Sequence, residues 1–112
     1  METTRQHKIA RLIHKDLGMI FQRESRNLFG GAMITVTKVN IAKDLSVAKV
    51  YLSLFGIKDK EELLQEIREH TKTIRRQLGI HVHNQLRIIP ELHFFMDDSL
   101  DYIENIDHLL HP

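Results

Sequence analysis

The stretch that most constrains the fold is residues 60–79, KEELLQEIREHTKTIRRQLG. Leu63, Leu64, Ile67, Ile74 and Leu78 fall on one face at about 3.6 residues per turn, the spacing of an amphipathic helix packed on a core. That face has a gap one turn after Ile67, where His70 and Thr71 stand. Thr71 and Thr73 are β-branched, and their hydroxyls compete for backbone hydrogen bonds. The pattern therefore predicts two helical pieces meeting at a kink over His70, Thr71 and Lys72. Glu61, Glu62, Glu66 and Glu69 give the first piece the negative charge that suits a helix N-terminus. Arg68, Lys72, Arg75 and Arg76 form a basic stripe at i, i+4, i+7 and i+8, expected to lie in water. Replacing Thr71 by Ala or Leu is expected to straighten the pair.

The rest of the chain supplies what this pair packs against. Residues 3–26 read as a helix with Thr3 and Gln6 in a capping box. Ile9, Ile13, Asp16 or Leu17, Ile20 and Phe21 form its buried stripe, and Lys8, Arg11, Lys15 and Arg26 its outer face. Gly18 weakens the middle without an obvious packing purpose. Gly30-Gly31 breaks the chain before MITVTKVNI, residues 33–41, whose alternation changes phase and predicts a β-bulge at Thr37-Lys38. A turn at residues 42–45 and a strand over residues 46–55 complete an antiparallel hairpin. Gly79 is expected to close the central pair as its C′ residue. A third strand is expected over residues 86–96, at a sheet edge or with a local bulge, because Pro90 cannot donate to a ladder. Asp97, Asp98 and Ser99 are candidate caps for a last helix carrying Leu100, Ile103, Ile106 and Leu110. The fold class is α+β, in the order α-β-β-α-(kink)-α-β, with a three-stranded sheet and a short C-terminal helix. By length, residues 1–112 are expected to form one domain.

Charge separates the two ends. Residues 1–88 hold all 16 Lys and Arg against nine acidic residues; residues 89–112 hold six acidic residues and no Lys or Arg. A net charge of +1 conceals this, and the asymmetry suggests a polyanion-binding body with an acidic end turned elsewhere. The absence of cysteine removes disulfides, thiolate nucleophiles and cysteine-ligated zinc, and suits a reducing cytoplasm. No run of apolar residues is long enough to span a membrane.

Catalytic chemistry finds little support. Asp97-Asp98 beside Ser99 reads as a helix cap rather than an acid–base pair, and Glu91 with His93 has no nucleophile or phosphate loop beside it. His81 and His83 would project to one side of an extended segment, but with His70 or His93 they lack a third ligand at motif spacing. No metal and no cofactor is expected. The basic stripe, the outer face of the first helix and Arg87 instead suit a phosphate backbone. Tyr51 is the aromatic residue most clearly placed on an exposed strand face.

Nearly the whole chain resembles the ribosome-binding factor A family of small-subunit assembly factors. The similarity lies in Ile34-Thr35-Val36-Thr37-Lys38-Val39, Lys43-Asp44-Leu45, Ala48-Lys49-Val50-Tyr51, Ile74-Arg75 and Leu78-Gly79. Its most specific part is Leu86-Arg87, Pro90-Glu91-Leu92, Phe94, Asp97 and Ser99. The resemblance implies a type II K-homology domain that binds the small ribosomal subunit and its 16S rRNA precursor in the cytoplasm. It also implies support for rRNA processing, no catalysis, a monomeric state and other assembly factors as further partners. RNA-binding residues are then expected at Lys8, Arg11, Lys15, Arg68, Lys72, Arg75, Arg76 and Arg87. The chain departs from the family pattern in placing His70-Thr71-Lys72 where a kink with Ala and Gly is usual, and Ala42 where Ser is frequent. It also stops without the long charged tail of some members. A protein-interaction adaptor docking through the acidic C-terminal helix is the alternative reading, and a histidine-dependent metal hydrolase a third.

Overall fold

Thr3 starts the first helix. Its Oγ accepts the Gln6 amide at 3.1 Å while its own N–H donates to Gln6 Oε1 at 2.8 Å, so the capping box satisfies two donors. The computed structural model describes residues 3–56 and 59–97. In it α1 (Thr4–Leu28) buries Ile9, Ile13, Leu17, Ile20 and Phe21, the stripe the periodicity requires. The Ser25 carbonyl then accepts from the N–H groups of Phe29 and Gly31, and Gly30 and Gly31 reverse the chain at φ 62° and 82°.

Strands β1 (Met33–Ile41) and β2 (Val47–Phe55) pair antiparallel. Val36 opposes Leu52 and Lys38 opposes Tyr51, which leaves Thr37 as the extra residue of a bulge. The bulge brings Ile34, Val36, Val39 and Ile41 to one buried face, the reason for the phase change in the sequence. Asp59 caps α2 (Lys60–Glu69) through the Glu62 amide at 3.0 Å, and α3 (Thr71–Val82) follows after His70. Strand β3 (Glu91–Met96) pairs parallel to β2, giving the sheet order β1-β2-β3. Ala48, Val50, Leu52 and Leu54 on the central strand are at most 2% exposed, because the three helices pack over that face. This is the α-β-β-α-(kink)-α-β order of a type II K-homology-like α+β fold.

Three expectations are corrected. The third strand starts at Glu91, not Leu86: the Val82 carbonyl holds the N–H groups of Gln85 and Leu86 in a turn, and Ile88 is 76% exposed. Pro90 has no N–H to give, so the ladder begins with Glu91 N–H to Ser46 O at 2.8 Å. Gly79 does not end the helix, which continues to Val82; it is where the Ile89 side chain lies against α3, 3.5 Å from the position of a Cβ. His81 and His83 accordingly sit at the end of a helix rather than on an extended segment. The expected C-terminal helix, its caps Asp98 and Ser99, and Lys58 lie outside the described residues. No helix among the described residues is long and apolar enough to cross a membrane.

Candidate nucleic-acid interface

His70 makes the break. At φ −97° and ψ 13° it leaves the helical path, and its N–H divides between the carbonyls of Glu66 (3.2 Å) and Ile67 (3.1 Å). Its Nδ1 lies 2.8 Å from the Glu66 carbonyl, which fixes that nitrogen as the protonated donor. The ring meets Phe29 edge-on at 5.6 Å, at the end of an aromatic chain running through Phe21 to Phe94. The gap in the apolar face is thus filled by an imidazole. Thr71 Oγ donates to Arg68 O at 2.7 Å across the break. α3 then begins with no side-chain cap and no acidic residue in its first turn. An uncapped helix N-terminus of this kind is electropositive and rich in donors.

The basic stripe divides by task. Arg68 donates through Nε (3.1 Å) and Nη2 (2.8 Å) to Phe94 O, and Arg75 through Nε to Pro90 O (3.1 Å) and Nη2 to Ile89 O (2.6 Å). All four are exposed, as the stripe requires, but Arg68 and Arg75 also tie the edge of β3 to the helices. Lys72 and Arg76 are exposed and hold no partner among the described residues. All four line a groove of ≈ 1150 Å³ with Thr71, Gly79, Ile89 and Leu92. The amides of Glu91 and Asp97 point to β2, so the backbone of Pro90, Leu92 and Phe94 points outward into this groove. The two guanidiniums cover the carbonyls on either side and leave Leu92 N–H and C=O between them.

The other expected residues are not gathered here. Lys8 and Arg87 line a second groove, of ≈ 720 Å³, with Ile9, Leu12 and Ser46. Arg5 lies there too, a residue the periodicity of the first helix did not single out. Ile88 and Pro90 face this groove while Ile89 and Glu91 face the first, so the 88–91 segment is the wall between them. Lys15 lines a third groove with His14 and Gly18 against β1, and Arg11 is exposed on α1. The sheet edge reaches the break, but the basic face of α1 does not. In the β1–β2 turn the Ser46 hydroxyl and amide hold the Asp44 carboxyl below its usual range. Glu91 Oε1 lies 3.4 Å from His93 Nε2. Among the described residues no three His, Asp or Glu side chains come together to hold a metal.

A family model, ribosome-binding factor A, matches residues 5–110. The ribosome-binding factor A of Cytophaga hutchinsonii is 49% identical over 110 residues, 98% of this chain and 83% of that protein. The crystal structure of ribosome-binding factor A from Thermus thermophilus superposes with a TM-score of 0.68 at 22% identity, covering 81% of this chain and 94% of that one. A homology model of the Thermus thermophilus factor, fitted into a cryo-EM map of its complex with the 30S subunit, gives 0.64 at 26% identity, covering 80% and 91%. With the hairpin, the broken helix pair and the parallel third strand in place, this agreement over almost the full length makes the chain a member of the ribosome-binding factor A family.

Proposed function

We propose that this protein is an assembly factor that binds the small ribosomal subunit through its 16S rRNA precursor, late in maturation, and supports processing of that precursor without catalysing a reaction itself. It acts as one K-homology-like RNA-binding domain over residues 1–112, as a cytoplasmic monomer, alongside other assembly factors. The fitted complex of the Thermus thermophilus factor with the 30S subunit supports the partner. The observation that carries the site is the groove at the helix break. There the uncapped N-terminus of α3, with Lys72 and Arg76, offers positive charge to a phosphate, while the outward backbone of Leu92 offers a donor–acceptor pair to a base edge. The second groove, with Arg5, Lys8 and Arg87, extends the positive surface beyond the 88–91 wall.

The test is association with purified small subunits, with crosslinks mapped on the RNA, and titration of single-stranded RNA against salt. About four phosphate contacts predict a log–log slope near −3. Lys72→Glu with Arg76→Glu is expected to abolish most association. Lys58→Glu with Lys60→Glu changes the net charge equally and is expected to leave it near wild type. Equal weakening by both pairs means a diffuse cation and refutes a localised site.

A further inference from the structure

The sheet face turned away from the helices holds a row that the groove does not use. Register places Lys38, Tyr51 and Phe95 side by side across all three strands. The rings of Tyr51 and Phe95 stack at 5.5 Å with 29° between their planes, and the Arg68 guanidinium reaches round the edge of β3 to lie 5.9 Å from the Phe95 centroid. The next row is Asn40, Lys49 and His93, again one residue from each strand. Neither ring belongs to the hydrophobic core. The acidic side chains here are each held by a neighbour: Glu91 lies 3.4 Å from His93 Nε2, and Asp97 accepts from the Thr37 hydroxyl. Lys38 and Lys49 are exposed and unpaired among the described residues.

We infer that this face is a second RNA-binding surface, a stacking platform for an unpaired segment of the strand whose phosphates occupy the groove. An aromatic pair flanked by cations is what single-stranded nucleic acid requires, since every base has a π-face and every linkage a charge. Two features choose RNA over an apolar partner. The rings alternate with Lys38, Lys49 and Arg68 rather than with aliphatic residues. The face is also continuous with the groove, because Arg68 belongs to both and a cleft of ≈ 300 Å³ lined by Arg68, Thr71, Leu92, His93 and Phe95 crosses the β3 edge between them. A strand leaving the break can therefore pass over Arg68, whose Nη1 is not used on Phe94, and lay a base against Phe95 and Tyr51. This inference rests on the RNA-binding reading of the groove.

The experiment measures affinity of the full chain for labelled single-stranded oligouridylate across a salt series, and cosedimentation with small subunits. Tyr51→Leu with Phe95→Leu keeps apolar bulk and removes both π-faces; Lys38→Gln with Lys49→Gln keeps the rings. The aromatic pair is expected to weaken oligonucleotide binding roughly tenfold or more at every salt concentration with the slope unchanged, since no charge is lost. The lysine pair is expected to flatten the slope by roughly 0.7 per lysine. Wild-type oligonucleotide affinity in both variants overturns the platform, whatever Lys72→Glu with Arg76→Glu does in the groove. Loss of cosedimentation with oligonucleotide binding intact also overturns it, and makes the face a contact for ribosomal protein. Should the aromatic pair fail to fold, judged by circular dichroism, the lysine pair decides: an unchanged slope refutes the inference.

Discussion

Arg75 and Arg76 are adjacent in sequence and opposite in task. Arg75 donates through Nε and Nη2 to the carbonyls of Pro90 and Ile89, while Arg76 faces the groove with no protein partner among the described residues. A double substitution of the two would therefore mix fold with binding, and Lys72 with Arg76 is the cleaner pair. Arg75→Ala is expected to lower stability by about 1–2 kcal/mol in urea unfolding, the range of one hydrogen bond to a charged group at a partly wet site. Arg75→Lys is expected to recover little, because an ammonium cannot span two carbonyls as a planar fork does. Lys72→Glu with Arg76→Glu is expected to stay within about 0.5 kcal/mol of wild type by the same measurement.

Among the elements, the broken helix pair is held from both sides. His70 binds the Glu66 carbonyl and packs on Phe29, and Thr71 binds the Arg68 carbonyl. Thr71→Ala alone is thus expected to keep the break, contrary to what the β-branched run suggested, at a cost of about 1 kcal/mol. His70→Leu with Thr71→Ala removes both restraints and is expected to give continuous amide-exchange protection through residue 73, with weaker RNA binding as Lys72 and Arg76 are re-aimed relative to α2. An unprotected Thr71–Thr73 stretch in that double variant would place the cause of the break elsewhere. Helix interiors offer a contrasting test at the glycines. A Cβ on Gly18 would meet nothing within 4 Å, and one on Gly79 only the Ile89 side chain, with Cγ1 at an ordinary 3.5 Å. Either Gly→Ala change is expected to raise stability by roughly 0.5–1 kcal/mol in urea unfolding.

At the scale of the molecule, three strands leave two edges, and side chains from the helices close both. Gln6 Nε2 donates to Ile41 O at 3.0 Å, His14 Nε2 lies 2.7 Å from Val36 O, and Ser25 Oγ donates to Ala32 O at 2.7 Å. Arg68 and Arg75 do the same for β3. Edges covered in this way are poor templates for pairing with another chain. Gln6 is only 4% exposed and serves Thr3 and Ile41 together. Gln6→Leu keeps the volume but strands the Ile41 carbonyl, and is expected to cost about 1–3 kcal/mol in urea unfolding and to promote association at high concentration by light scattering.

The sequence by itself determined the elements. The Thr3–Gln6 capping box, the bulge at Thr37 and the gap at His70 are local features, set by bonds and periodicities within a few residues, and they stand where the pattern places them. The family was legible for the same reason, since its motifs are contiguous. The site was legible only as a collection of charges. Eight cations were expected to act together, yet tertiary structure turned Arg68 and Arg75 into clamps, set Lys8 and Arg87 in a second groove, and gave Lys15 a third. A guanidinium in water and one bound to a carbonyl many residues away have identical sequence signatures, because the acceptor is a backbone atom that every residue carries. The row of Lys38, Tyr51, Phe95 and Arg68 is of the same kind. It exists only because β2 and β3 run parallel in one register, and that register is decided by how the two helices between them pack.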